Sequence, residues 1–175
     1  FGKELFEELD VPIGLIDLAV GGVTTESFIS LKSLSNHPDL KNILYNWFDN
    51  PLIHPWVKRR TRENLSLCFE NPVKPRPRHP FEPGLLYEAG IEPILSFSIR
   101  GAIWYQGESN LPTDTDYYPV SIKQNQQLFH LLINSWRKSF DQCDFPFFYV
   151  QLPNINRDWP EYRAMQRATL DLIPN

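Results

Sequence analysis

The chain has 175 residues, of which 42% are hydrophobic and 22% are charged, and its formal net charge is -4 at pH 7. This composition is typical of a folded globular chain rather than a disordered one, and the length is sufficient for one domain with a buried core. The negative charge argues against a nucleic-acid-binding surface, and no segment approaches the roughly twenty apolar residues that a membrane-spanning helix needs.

The first thirty residues predict a helix, a strand and a second helix. Phe1–Leu9 has apolar residues at helical spacing. Ile13–Val20 is a nearly continuous apolar run, which is typical of a strand buried on both faces. Gly21 and Gly22 then form a turn, and a helix through Phe28 should follow it.

Residues 36–83 are predicted to be largely irregular. Aromatic residues around Trp47 and Trp56 suggest short amphipathic helices, whereas the five prolines from Pro72 to Pro83 exclude a regular element between them. An irregular stretch of this length in a compact domain is usually functional. We therefore interpret it as an insertion or a lid.

The second half of the chain predicts two more strands. A helix through Leu85–Ala89 leads to the strand Ala102–Tyr105, and Phe147–Leu152 is the third strand. Between these strands, apolar residues at helical spacing predict a long helix with one apolar face. The residues of this face are Tyr118, Ile122, Phe129, Leu132, Ile133, Trp136 and Phe140. A final helix should begin at Pro160. Three apolar strands with helix-length connections predict a three-layer α/β domain with a parallel sheet.

The stretch Arg100–Asn110 is the most informative in the chain. An apolar strand breaks there into five small or polar residues, in the order Gln106, Gly107, Glu108, Ser109, Asn110. Such a strand end presents fixed donors and acceptors at the rim of a sheet, where open α/β folds bind their ligands. These residues are therefore a candidate site.

Three stretches resemble the sialate O-acetylesterase family of carbohydrate esterases, within the SGNH-hydrolase superfamily. Trp104–Asn110, which reads Trp-Tyr-Gln-Gly-Glu-Ser-Asn, resembles the family's signature. Val11–Val23 resembles its strand and Gly-Gly turn, and Phe145–Leu152 with Tyr162–Gln166 resembles a later strand and helix. The resemblance implies an SGNH-hydrolase-like, flavodoxin-like sheet flanked by helices, with residues 1–175 as the central part of one esterase domain that is incomplete here.

The resemblance also implies a serine esterase that removes O-acetyl groups from a carbohydrate, with sialic acid as the expected sugar. An acetylxylan esterase is the alternative within the same chemistry. A non-catalytic carbohydrate-binding module is the alternative from another class. It would use tryptophans that stack on sugars, among Trp47, Trp56, Trp104 and Trp159. Core burial explains Trp104 better.

A serine esterase needs donors for the oxyanion that forms on the acyl carbon. The resemblance implies that the Gly22 N–H and the Gln106 side chain are these donors. Spacing alone favours an ordinary turn glycine at Gly22, and Gln106 has the alternative of satisfying nearby loop carbonyls. For Glu108 we expect a structural role that fixes the loop, and we expect Gly21 and Asn110 to contact the substrate or to support the residues that do.

Arg163 and Gln166 are three residues apart, so both project from one face of the final helix. We expect them to pack behind the site, with substrate contact as the alternative. Ser109 is interpreted as a turn serine, because Leu111 stands where a Gly-x-Ser-x-Gly nucleophile elbow has its second glycine.

Two of the family's catalytic blocks do not occur in the sequence: the Gly-Gln-Ser-Asn-Met-type nucleophile block and the Asp-x-x-His block. The histidines occupy other contexts, His130 in the long helix and His37, His54 and His79 before prolines in predicted loops. We expect His130 to be partly exposed and His79 to lie in a surface loop. We therefore expect a piece of a longer protein, inactive by itself, whose triad lies outside these residues.

Metal-ligand spacing is absent from the sequence, so we expect no metal and no other cofactor. Cys68 and Cys143 are interpreted as buried thiols, with a disulfide as the alternative. The expected partner is an acetylated carbohydrate. We expect no nucleic-acid partner and no membrane-spanning segment. The whole protein is expected to be secreted or periplasmic, although these residues contain no targeting segment.

Overall fold

The computed structural model describes residues 1–72, 74–111, 121–142, 144–155, 157 and 159–173. Its α-helices are α1 Gly2–Leu9, α2 Leu31–Asn36, α3 Pro55–Asn64, α4 Ser66–Glu70, α5 Ile122–Ser139 and α6 Pro160–Leu172. Its strands are β1 Ala102–Trp104 and β2 Phe147–Tyr149. Short 3₁₀ turns lie at Thr25–Phe28, Lys41–Leu44, Glu92–Ile94 and Glu108–Asn110, and a π-helical turn lies at Tyr87–Ile91.

The two strands form a parallel sheet, which confirms the strand–helix–strand crossover predicted for the second half of the chain. Ala102 pairs with Phe147 and Trp104 with Tyr149, and α5 lies between the strands in sequence. Parallel neighbours need a crossover of this kind, because the chain must return to the same end of the sheet. The carboxyl end of β1 therefore leads directly into the candidate loop at residues 106–110.

The core lies between this sheet and α5. The rings of Trp104 and Trp136 meet edge to face at 6.0 Å, and Phe147 lies 5.9 Å from Trp136. Phe28, which follows Gly21 and Gly22, packs 5.2 Å from Trp104, and its carbonyl accepts the Trp136 indole N–H at 2.8 Å. The predicted apolar face of α5 is confirmed; Tyr118, which we assigned to it, lies outside the described residues.

The predicted strand at Ile13–Val20 is wrong: residues 13–20 belong to no strand and no helix. Leu15 is 68% exposed, whereas Leu18 packs on the edge of the core. An apolar run forms a buried strand only where another strand satisfies its backbone N–H and C=O groups. The fold seen here is an α/β unit with a two-stranded sheet, and the three-layer arrangement stays a prediction.

The predicted irregular stretch at 36–83 contains two helices, α3 and α4. Helix α3 begins with Pro55 in its first turn, and the His54 ring caps it by accepting the Trp56 N–H at 3.0 Å. The prolines after α4 exclude regular structure as predicted, since the described residues between Asn71 and Pro83 are in no helix or strand. A helix around Trp47 was also predicted, but this segment forms turns.

None of the helices in the described ranges combines the length and the apolar character that crossing a bilayer requires.

Candidate functional site

Two loops interlock beside the carboxyl end of β1. We call them the glycine turn, residues 21–26, and the strand-end loop, residues 106–110. The Thr25 N–H donates to Asn110 Oδ1 at 3.0 Å, and the Thr25 hydroxyl donates to Gln106 Oε1 at 2.8 Å. Gln106 Nε2 donates in turn to the Val23 carbonyl at 3.1 Å. Segments about eighty residues apart in sequence thus form one buried polar cluster.

Gly22 has a backbone conformation that only glycine adopts easily, with φ at 80°. A Cβ at this position would lie 2.9 Å from the Trp56 ring and 3.2 Å from the Phe81 ring. Among the described residues the Gly22 N–H has no hydrogen-bond acceptor. Gly21 is exposed, and nothing lies within 4 Å of the Cβ position it lacks. Gly22 is half-buried, and its N–H is therefore a candidate donor to an oxygen from outside the protein.

Gln106 has both hydrogens of its amide committed. One goes to the Val23 carbonyl at 3.1 Å and the other to Asn110 Oδ1 at 2.7 Å. This is the arrangement that we named as the alternative for Gln106, in which it satisfies loop groups. Its oxyanion role stays a prediction, and that role requires one of these two hydrogen bonds to be exchanged for a bond to substrate.

Glu26 is the functional candidate that the sequence reasoning missed. Its carboxyl group is buried, with 3% of the residue exposed, and Asn110 Nδ2 donates to it at 3.1 Å. Burial raises the pKa of this carboxyl group, and the hydrogen bond from Asn110 opposes the rise only in part. The available signal was its position: an acidic residue four places after a Gly-Gly turn, between Thr25 and an apolar run.

The strand-end loop is held by Gly107 and Asn110. Gly107 has φ at 153°, and a Cβ there would lie 2.6 Å from the ring of Tyr162 on α6. The Asn110 carbonyl accepts from Asn125 of α5 at 3.2 Å. Burial, with the nearby charge of Glu108, raises the pKa of the Tyr162 phenol, so this ring stays neutral.

Glu108, for which we predicted the loop-fixing role, is exposed. Its carboxylate accepts no hydrogen bond from the described part of the chain, and Asn110 makes the contacts expected of it. The structural role of Glu108 stays a prediction. Ser109 lies in the 3₁₀ turn Glu108–Asn110, the turn position expected from the sequence.

Gln166 is nearly fully buried, and its role behind the site stays a prediction. Its Oε1 accepts the Leu152 N–H at 3.0 Å, and its carbonyl accepts the Tyr149 hydroxyl at 2.7 Å. These bonds fasten α6 to the residues around the end of β2. Arg163 is half-buried, and its carbonyl accepts from Gln151 at 2.8 Å.

The prediction of a surface position for His79 is wrong. Only 7% of the residue is exposed, its Nδ1 accepts the Phe81 N–H at 3.2 Å, and its Nε2 lies 2.9 Å from Asn64 Nδ2. Burial lowers the pKa of this imidazole. His130 is half-buried as predicted, and burial lowers its pKa also. His54 is buried at the start of α3.

Three of the four tryptophans considered for sugar stacking are buried: Trp47, Trp104 and Trp159. Trp56 is half-buried and is the one whose ring reaches the glycine turn. Within the described ranges, no three His, Cys, Asp or Glu side chains cluster as metal ligands would. Cys68 is a free thiol, and Cys143 lies outside the described residues.

The chain is similar to curated sialate O-acetylesterases. It is 30% identical over 188 residues to that of Mus musculus, 28% over 190 residues to that of Homo sapiens and 29% over 189 residues to that of Rattus norvegicus. Each alignment covers 100% of this chain but only 29–33% of the relative, so the chain spans about a third of their length. The resemblance predicted from the sequence is confirmed. No family model and no solved structure matches the chain.

Proposed function

Because the chain is related along its whole length to the sialate O-acetylesterases, we propose that the whole protein is a carbohydrate O-acetylesterase. We propose further that it uses a serine-hydrolase mechanism and that its substrate is an acetylated sialic acid. Residues 1–175 would contribute the donors that bind the oxyanion in that site. The serine, the histidine and its orienting acid are assigned to none of the residues of this chain.

In this mechanism a serine hydroxyl attacks the acetyl carbonyl carbon while a histidine accepts its proton. The carbonyl oxygen then carries the negative charge, and the Gly22 N–H donates to it. Gln106 would contribute a second donor by giving up its bond to Val23 or to Asn110. The tetrahedral intermediate collapses and expels the sugar oxygen, which takes the proton from histidine, and water later releases acetate from the serine.

One observation carries the proposal: the Gly22 N–H lacks an acceptor among the described residues, at a turn locked to the carboxyl end of β1. Oxyanion holes are built from donors that are fixed before the reaction, since no reorganisation is then needed as the charge develops. The bonds from Thr25 to Asn110 Oδ1 and to Gln106 Oε1 give the turn this fixed position, and neither uses the amide hydrogens that Gln106 would offer to substrate.

The test is acetate release by the full-length protein from O-acetylated sialic acid and from acetylated xylan, measured side by side. Release from the sialic acid ester is expected. Release from xylan alone would transfer the assignment to acetylxylan esterase chemistry. Glycan binding without release of acetate would contradict the esterase proposal altogether and favour a sugar-binding module.

The 175-residue chain by itself should not turn over aryl acetates. Removing a catalytic triad leaves only the residual catalysis of the oxyanion hole and of binding. Aryl-acetate hydrolysis by the purified chain, compared with buffer and with the full-length protein, measures this. Turnover comparable with that of the full-length protein would show that the nucleophile lies within these residues.

A further inference from the structure

Resting on the proposed function, we propose that Trp56 and Phe81 form the wall that limits the length of the acyl group accepted at Gly22. We call this pair the aromatic wall. Neither residue belongs to the predicted oxyanion hole. Both come from the stretch interpreted as an insertion or lid, and the wall gives this stretch a specific task at the site.

The aromatic wall occupies the space directly beside the predicted oxyanion donor. A Cβ on Gly22 would lie 2.9 Å from one carbon of the Trp56 ring, 3.6 Å from the next, and 3.2 Å from the tip of Phe81. The ring centroids of Trp56 and Phe81 are 5.6 Å apart, with 31° between their planes. The two rings thus present one apolar surface to the turn.

Both rings are held by the same helix, α3. Trp56 is in its first turn, where its N–H is bound by the His54 ring. Phe81 is tied through His79, whose ring meets it edge to face at 4.6 Å and whose Nδ1 accepts its N–H. His79 in turn contacts Asn64 near the end of α3, at 2.9 Å. A wall anchored at both ends of one helix is a fixed boundary rather than an adaptable one.

The chemistry of ester cleavage brings the acyl chain to this boundary. A carbonyl oxygen bound to the Gly22 N–H lies about 2.7–3.1 Å from that nitrogen. The acyl carbon is bonded to this oxygen and carries both the leaving group and the acyl chain. A methyl group is small enough to rest against aromatic carbons, whereas each added methylene needs space that the rings fill. Hydrophobic pockets discriminate by about 10–200-fold per methylene in this way.

The experiment uses the full-length protein and p-nitrophenyl esters of acetate, butyrate and hexanoate, which share one leaving group. The quantity measured is the ratio of kcat/KM for acetate to kcat/KM for butyrate. Trp56→Ala is expected to lower this ratio by about tenfold or more, by admitting the longer chain. Trp56→Phe, which keeps a smaller ring, should give an intermediate ratio.

Phe69→Ala is the matched control, because Phe69 is a partly exposed aromatic residue on α4 that packs on Phe48 rather than on Gly22. It should leave the ratio unchanged. Trp56→Leu repeats the test with an apolar side chain in case the alanine variant fails to fold. An unchanged ratio in a folded Trp56 variant that still cleaves acetate would overturn the proposal.

The two proposals fail in different ways. If the unsubstituted protein cleaves none of these esters and releases no acetate from O-acetylated sialic acid or acetylated xylan, the proposed esterase function is wrong, and the aromatic wall is rejected with it as a determinant of acyl length. If the protein cleaves acetate and the ratio does not respond to Trp56, only the aromatic wall is wrong. In that case Trp56 would serve to pack the turn.

Discussion

Glu26 carries its carboxyl group in the interior, and this makes stability depend on pH. Burial raises its pKa above the ordinary value of 4.5. In the unfolded chain the Glu26 carboxyl group ionises near pH 4.5, whereas in the folded chain it keeps its proton to higher pH. The stability that the protonated Glu26 carboxyl group contributes is therefore fully present below pH 4.5, and it is lost as the pH rises through the pKa of the folded state.

We predict that Glu26→Gln raises the melting temperature at pH 7 and flattens its decline above pH 4.5. The amide keeps an oxygen for Asn110 Nδ2, which lies 3.1 Å from the carboxylate, and removes the ionisation. Thermal melts from pH 4 to pH 8 measure both effects. Glu8→Gln, on the exposed helix α1, is the control and should change neither. A lower melting temperature for Glu26→Gln at pH 7 would contradict the prediction.

The proposed role of Gln106 as an oxyanion donor can be tested directly by substitution. If it donates to the oxyanion, Gln106→Ala in the full-length protein should lower kcat for acetyl esters by about 10²–10³. Asn110→Ala is the comparison variant, since Asn110 holds the same loop through Thr25 and is not a predicted donor to the oxyanion. An equal loss in both variants would mean that Gln106 only holds the loop. An unchanged rate in Gln106→Ala removes it from the mechanism.

The sequence predicted which residues lie together at the candidate site only where a family motif contained them. The resemblance brought together Gly22, Gln106 and Asn110, which do lie in neighbouring loops. The burial of Glu26 was not predictable, because an acidic residue at the start of a helix is ordinarily exposed and favourable there. His79 was missed for a related reason: its Pro-rich setting indicates a surface, while its burial depends on distant Asn64 and Thr61.

Helix α6 has four buried residues, Tyr162, Met165, Gln166 and Thr169, and Gln166 is the one that binds the backbone beyond β2. Its replacement by leucine would leave the buried N–H of Leu152 without the acceptor that now lies at 3.0 Å. A lost buried partner costs about 1–3 kcal/mol, so Gln166→Leu should lower the free energy of unfolding by about that amount. Urea denaturation measures it. Arg167→Leu, exposed on the same helix, should change it by less than about 0.5 kcal/mol.

Elements with their own periodicity were predicted well, and the element that depends on a neighbour was not. The apolar face of α5 and the Pro start of α6 are encoded locally: α5 ends at Ser139, next to the predicted Phe140, and α6 begins at the predicted Pro160. Residues 13–20 have the composition of a buried strand, but a strand also requires a paired edge. Composition indicates what a segment can bury, whereas the rest of the fold decides whether it does.

The whole molecule presents a sheet that is covered on one side. Trp104 and Phe147 face α5, while Ile103 and Phe148 on the opposite face are 53% and 54% exposed. Parallel sheets are ordinarily buried on both faces, so this surface is the clearest departure from the three-layer arrangement. The relatives are about three times as long as this chain, which leaves ample sequence in a protein of their kind to cover such a face.

Helix α1 has no buried residue, and this determines where a protease should act first. Elements with few buried contacts open locally at little free-energy cost, and a protease cleaves the opened form. Chymotrypsin should therefore cut the 175-residue chain at Phe6 or Leu9 before it cuts within α5 or α6. Mass spectrometry of a timed digest would show a product that begins at Glu7 or Asp10 and keeps Leu18, which packs on the core. Early cleavage inside α5 would mean that the aromatic core, rather than the amino-terminal helix, is the least protected part of the chain.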